Sequence, residues 1–335
     1  VALTGGEGDL VNRGVIAALR KNAWGKTEGG EISMVAKNIT TDPGSIVTAA
    51  GQEKGGEIKI DGKDTVLASG KIEATSSKGA GGKVVMTGER VGLVKAEVDA
   101  SGATKGGEVL VGGDYLGSNP EVRNAKATVV TSDSVIRANA TGNGDGGKVI
   151  LWSDEYTGFY GDIFARAGLE GGNGGFVETS SKFNLQALGQ ADVFAPLGKT
   201  GTWLLDPYDV YIVETSAGLD PSVYNLLNPV TNLFTANVAN AQISVSRILY
   251  ALNSGQDVII RSGPLPSDGL SPSTPGASPA TQPFTTRPTG GAGNIVVAVP
   301  IQAETGSTGS LTLENLWVIK ELSDRGDVTT KAGSI

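Results

Sequence analysis

"GGEIKI" at Gly55–Ile60 and "GGKVVM" at Gly81–Met86 lie 26 residues apart and repeat one pattern. Each is a glycine pair followed by alternating polar and apolar residues, the signature of a half-buried β-strand. The second glycine of such a pair falls at Gly30, Gly56, Gly82, Gly107, Gly147 and Gly175, at intervals of 26, 26, 25, 40 and 28 residues. Gly201, opening "GTWLL", follows 26 residues after Gly175. The long interval is one period plus an insertion near "GGDYLGSNPEVRNAK", residues 112–126.

A second element precedes each glycine corner. It has the form [IV]-x-A and stands at Val47–Ala49, Ile72–Ala74, Val98–Ala100, Ile136–Ala138, Ile163–Ala165 and Val193–Ala195. A repeat of this length means a solenoid, propeller or array. Helical repeats are excluded because the unit is too rich in glycine and β-branched residues. A propeller blade needs about 40 residues and four strands. The unit fits one coil of a parallel β-helix, an all-β solenoid.

Coils in such a stack hydrogen-bond about 4.8 Å apart, so equivalent residues line up. Ile32, Ile58, Val84, Val109, Val149 and Phe176 are expected to form one inward column. The corner glycines are expected to supply a positive φ or a close approach to the next coil.

Composition narrows the chemistry. The 335 residues include 50 glycines and neither cysteine nor histidine. Disulfides, thiolate metal sites and cysteine nucleophiles are excluded, and the commonest general base and metal ligand is missing. No cofactor is expected. The net charge of −8 argues against nucleic acid as a partner. No window holds the roughly 18 consecutive apolar residues of a membrane-spanning helix. The chain opens on Val1 and is expected to be a segment of a longer protein.

Residues 1–205 read as regular coils and 206–335 as a decorated continuation. Within the second part, Val245, Ile248, Leu249 and Leu252 have the i, i+3, i+4, i+7 spacing of a helix near 244–254. Ser244 is the expected N-cap and Gly255 the expected stop, and the helix is expected to brace a coil. Residues 263–293 carry seven of the 14 prolines and read as a long Pro/Ser/Thr loop.

"VNRGVIAA" (Val11–Ala18), the repeated [IV]-x-A…GG-x-V, "GGFVETSSKFNL…GKTGTWLLDPYDVYI" and "ISVSRILYALNSGQDVII…GNIVVAVPI…SLTL" resemble the filamentous haemagglutinin-like exoproteins. The resemblance spans nearly the whole chain, and Gly201–Pro207 is its most specific part. It implies a right-handed parallel β-helix, secreted or displayed on the surface of a Gram-negative bacterium by two-partner secretion. It also implies an outer-membrane transporter as a partner, and a host or neighbouring-cell surface glycan or protein as the target. The family's N-terminal secretion domain, with its asparagine-proline motifs, finds no counterpart in these motifs.

Candidate sites are few. Arg325–Gly326–Asp327 is a tripeptide that can dock an integrin, though Gly-Asp is also ordinary turn chemistry. Asn38 and Asn139 open Asn-x-Thr glycosylation sequons. "GNGDGGKVI" (Gly142–Ile150) echoes calcium-binding nonapeptides, but one Asp-bearing copy reads as a plain turn. Asp206 and Asp209 are neighbouring carboxylates of the kind β-helix glycosidases use, without further convergent groups. Trp24, Trp152, Trp203 and Trp317 adjoin apolar strands, as core or coil-end residues do.

The expectation is therefore an adhesin segment rather than an enzyme. The alternatives are an end-to-end structural filament and the stalk of a contact-dependent toxin.

Overall fold

The computed structural model describes residues 1–214, 233, 234, 236, 241–262, 294–315, 318–321 and 328–329. These form a parallel β-solenoid of about 8 turns with about 28 residues per turn. The average exceeds 26 because of the inserted segment.

Each coil lays down strands on three faces. The first face begins with Ala2–Thr4 and continues through Glu31–Met34, Glu57–Ile60, Lys83–Met86, Glu108–Val111 and Lys148–Leu151. Phe176–Thr179, Thr202–Leu205, Asp257–Ser262 and Leu311–Asn315 complete it. The inward column runs Ile32, Ile58, Val84, Val109, Val149, Val177, Trp203, Val258, Leu311, all essentially sealed from water. Phe176 is not in it. It aligns with Lys148 and points outward, because "FVET" carries its inward residue at the second place. Burying each aliphatic member is worth about 1.5–3 kcal/mol.

The third face has its own column: Val47, Ile72, Val98, Ile136, Ile163 and Ala191. The expected last [IV]-x-A, at Val193–Ala195, is thus two residues late. Ala191-Asp192-Val193 fills the place, and Val193 stands where the other coils have alanine.

Alanine at that position sets up the corner. Its carbonyl accepts the N–H of the second glycine: Gly56 to Ala49, Gly82 to Ala74, Gly107 to Ala100, Gly147 to Ala138, Gly175 to Ala165, all at 2.7–2.8 Å. In the last such corner Gly201 bonds Val193 at 2.9 Å. None of the glycines Gly30, Gly56, Gly82, Gly107, Gly147, Gly175 and Gly201 has a positive φ. Their requirement is close approach: a Cβ on Gly56 would overlap the carbonyl oxygen of Gly30, and one on Gly82 that of Gly56.

Between the alanine and the glycine pair the chain leaves the coil as a short loop. These loops are themselves stacked. Gly51 donates to Thr75 O, Ser76 to Ser101 O, Gly102 to Asn139 O and Ala140 to Arg166 O, at 2.9–3.0 Å. The result is a fin along the rod.

The strand order inverts after Leu205. Gln242–Ser244 pairs with Asn184–Ala187 on one side and with Val210–Val213 on the other, although it comes last in sequence. The chain steps up a layer, returns to fill the gap below, then enters helix α1 (Val245–Asn253). Gly255, at φ +78°, ends α1: its N–H bonds Leu252 O and that of Gln256 bonds Ala251 O, both at 2.9 Å. This is the glycine stop the sequence predicts. Ser244 precedes the helix without a side-chain capping bond to it.

The helix packs between Gln190–Asp192 and Ile301–Gln302, in the layer where a third-face strand would lie. It covers the strand edge with side chains. Arg247 donates to Leu188 O (3.2 Å) and Gln190 Oε1 (3.3 Å), and Gln256 Oε1 accepts the N–H of Val193 (3.0 Å). The loop predicted at 263–293 lies outside the described residues.

Candidate functional site

Among the described residues two features stand out on the solenoid surface. The first is a groove of about 990 Å³ between the fin and the first face, floored by the glycine pairs. Lys54 and Lys105 stand on its fin side, and Glu57, Lys83, Glu108 and Lys148 on the sheet side. The charges are mixed: Lys83 and Lys148 both bind Glu108, at 2.7 and 3.0 Å.

The second feature is the insertion, which is a folded flap and not a free loop. Gly112–Lys126 lies over the outer side of the first face, where the rows carry Val85, Leu110 and Ile150 in place of polar residues. Apolar side chains facing outward on one stretch of strand are what a cover needs. Trp152 is buried beneath it, with Gly113 and Gly117 against its indole. Tyr115 meets Phe176 edge-on, ring centroids 5.8 Å apart. Asp114 binds Lys148 at 2.6 Å, and Arg123 reaches down to Asp61 at 3.1 Å. Burial disfavours the Asp114 carboxylate, but bonds from Asn119 and Lys148 hold it below the usual range.

Beneath the flap lies Glu178, fully buried. It occupies the outward row between Ile150 and Leu204. Burial, aided by Asp206 and Asp114, pushes its carboxyl up to about 8. One coil on, Asp206 is also buried and is raised to about 6, chiefly by burial. Its Oδ2 has no hydrogen bond and sits 4.0 Å from Arg261, which is engaged with Glu314 at 2.7 Å. The sequence paired Asp206 with Asp209; the fold sets it instead beside Glu178, Arg261 and Glu314. Glu178 reads in sequence as an ordinary exposed strand position, because the flap that lies over it comes from residues about 60 positions earlier.

The remaining candidates are placed as follows. Asn38 donates its amide to Asp9 in the coil below (2.8 Å), and the Asn139 carbonyl accepts the N–H of Arg166 (2.8 Å); both are half-buried. Asp145 accepts from the Asn173 backbone at 2.7 Å, a turn contact between coils. Trp152 and Trp203 are core residues, whereas Trp24 is 83% exposed, between the strands of the antiparallel Leu19–Lys21/Thr27–Gly29 hairpin. Arg325, Gly326, Asp327 and Trp317 lie outside the described residues. Among the described residues no group of three or more acidic side chains could hold a metal ion, and no helix is long and apolar enough to cross a membrane.

Stacked faces, fin and flap define the class: a parallel β-solenoid, elongated by repetition. No family model and no curated protein matches the sequence. Among solved structures the chain is similar to the HMW1 secretion domain from Haemophilus influenzae, at 28% identity with a TM-score of 0.49. The match covers 59% of this chain and 49% of that one, so the chain spans about half the length of that domain.

Proposed function

We propose that this chain is a rigid segment of a secreted, surface-displayed bacterial adhesin that attaches through many repeated contacts and carries out no chemistry. The observation that supports this most is the unbroken stack. Through the regular coils up to Gly201, successive coils add further copies of the fin and the groove wall, about 4.8 Å apart. Repeated weak contacts on one rigid body combine into firm attachment. The glycine-corner and Gly201–Pro207 motifs, which resemble filamentous haemagglutinin-like exoproteins, support secretion through an outer-membrane transporter. The target on this reading is a glycan or protein of a host or neighbouring cell.

The test is adherence of beads coated with the purified chain at increasing density to cultured epithelial cells. Attachment rising more steeply than density supports the reading; no attachment at any density overturns it.

A further inference from the structure

We propose that the Gly112–Lys126 flap is a proton-held clasp, closed while Glu178 beneath it is neutral and released when that carboxyl ionises. Glu178 stands in an outward row whose neighbours are Ile150 and Leu204, and the flap removes it completely from water. A buried carboxylate is tolerated only when it is paired or richly hydrogen-bonded.

Glu178 has little of either. The flap offers one backbone donor, the N–H of Leu116, at 3.2 and 3.3 Å from its two oxygens. Leu116 makes this contact from a left-handed conformation, φ 53°, which a leucine rarely adopts. Ser180, just past its strand, offers a side-chain bond. The charged groups around it do not help. Asp206 in the coil above and Asp114 in the flap both oppose its ionisation. Lys148, in the coil below, is engaged by Asp114 and Glu108. Arg261, in contact with Tyr115 of the flap, is engaged by Glu314 and faces Asp206. Neither cation is bound to Glu178.

Opening the flap returns Glu178 to water, where its carboxyl has the ordinary value of 4.5 rather than about 8. Between those two values the closed form holds a proton that the open form has lost. Rising pH therefore favours opening, by up to about tenfold per pH unit, levelling off above pH 8. Release uncovers Leu110, Ile150 and Trp152, part of the apolar strip that the flap covers.

Hydrogen–deuterium exchange of the 112–126 amides, from pH 5 to 9, tests the clasp in the whole chain. Glu178→Gln keeps the shape and stays neutral, so comparison with it at each pH cancels the intrinsic base catalysis of exchange. The wild-type rate divided by the variant rate should climb by up to about tenfold per pH unit and flatten above pH 8. A ratio independent of pH would overturn the proposal. Infrared spectroscopy of the wild type decides the matter should the variant not fold. A protonated buried carboxyl band at pH 7 that disappears by pH 10 supports the clasp, and its absence at pH 7 contradicts it.

Discussion

Trp203 donates its indole N–H to Thr179 Oγ1 at 3.0 Å, inside the solenoid and out of reach of water. Thr179 is a polar member of a column that otherwise carries Met34, Ile60, Met86, Val111 and Leu151. The tryptophan also meets Phe159 edge-on at 6.4 Å, so it is fixed from two faces. Thr179→Val keeps the shape and strands a buried donor. Chemical denaturation should show a loss of about 1–3 kcal/mol. Thr179→Ser, which keeps the bond, should lose less.

The corner glycines predict a sharp positional contrast. Gly56→Ala places a methyl group against the backbone of the coil below, where no side chain can yield. Its cost should be about 3 kcal/mol or more. Gly44→Ala meets nothing within 4 Å and needs no positive φ. It should be neutral or stabilise by up to about 1 kcal/mol. Thermal melts of the two variants check this directly.

That contrast also shows what was legible in the sequence. The repeat of Gly-Gly with alternating strand residues announces the solenoid because each coil must solve the same packing problem at the same place. The glycine stop at Gly255 is legible for a similar local reason. Phe176 misled because aromatic residues normally mark the buried place, yet here the ring belongs to the surface beneath the flap. Val193 misled because Val-Phe-Ala matches the [IV]-x-A form, whereas pairing with the coil below puts Ala191 in the inward place and Val193 where the other coils have alanine. Glu178 carries no signal at all, since its burial comes from a segment about 60 residues earlier. The return of Gln242–Ser244 beneath Val210–Val213 is likewise a long-range event with no local mark.

Helix α1 stands where a strand would lie, and Arg247 on the helix and Gln256 just after it satisfy the edge it covers. Gln256→Leu should leave the Val193 N–H buried without a partner and cost about 1–3 kcal/mol. Amide exchange at Gln190–Val193 should speed up before the rest of the stack does.

Stability should depend on pH in a direction opposite to that of salt-bridged carboxylates. Glu178 is raised to about 8 and Asp206 to about 6. The folded state therefore holds protons that the unfolded state has released. The stabilisation is fully present below their ordinary values, 4.5 and 3.8, and is lost as pH rises through 6 and then 8. The melting temperature should fall from pH 5 to pH 8, and Glu178→Gln should flatten the upper part of that decline.

On the proposed function, a rigid repeat surface turns weak contacts into attachment. This is tested most directly by the apparent Kd for epithelial cells of the single chain and of two chains joined by a stiff spacer. The single chain should bind weakly and the joined pair should gain about 10²–10⁴-fold in affinity. A joined pair that binds no more tightly than the single chain would contradict it.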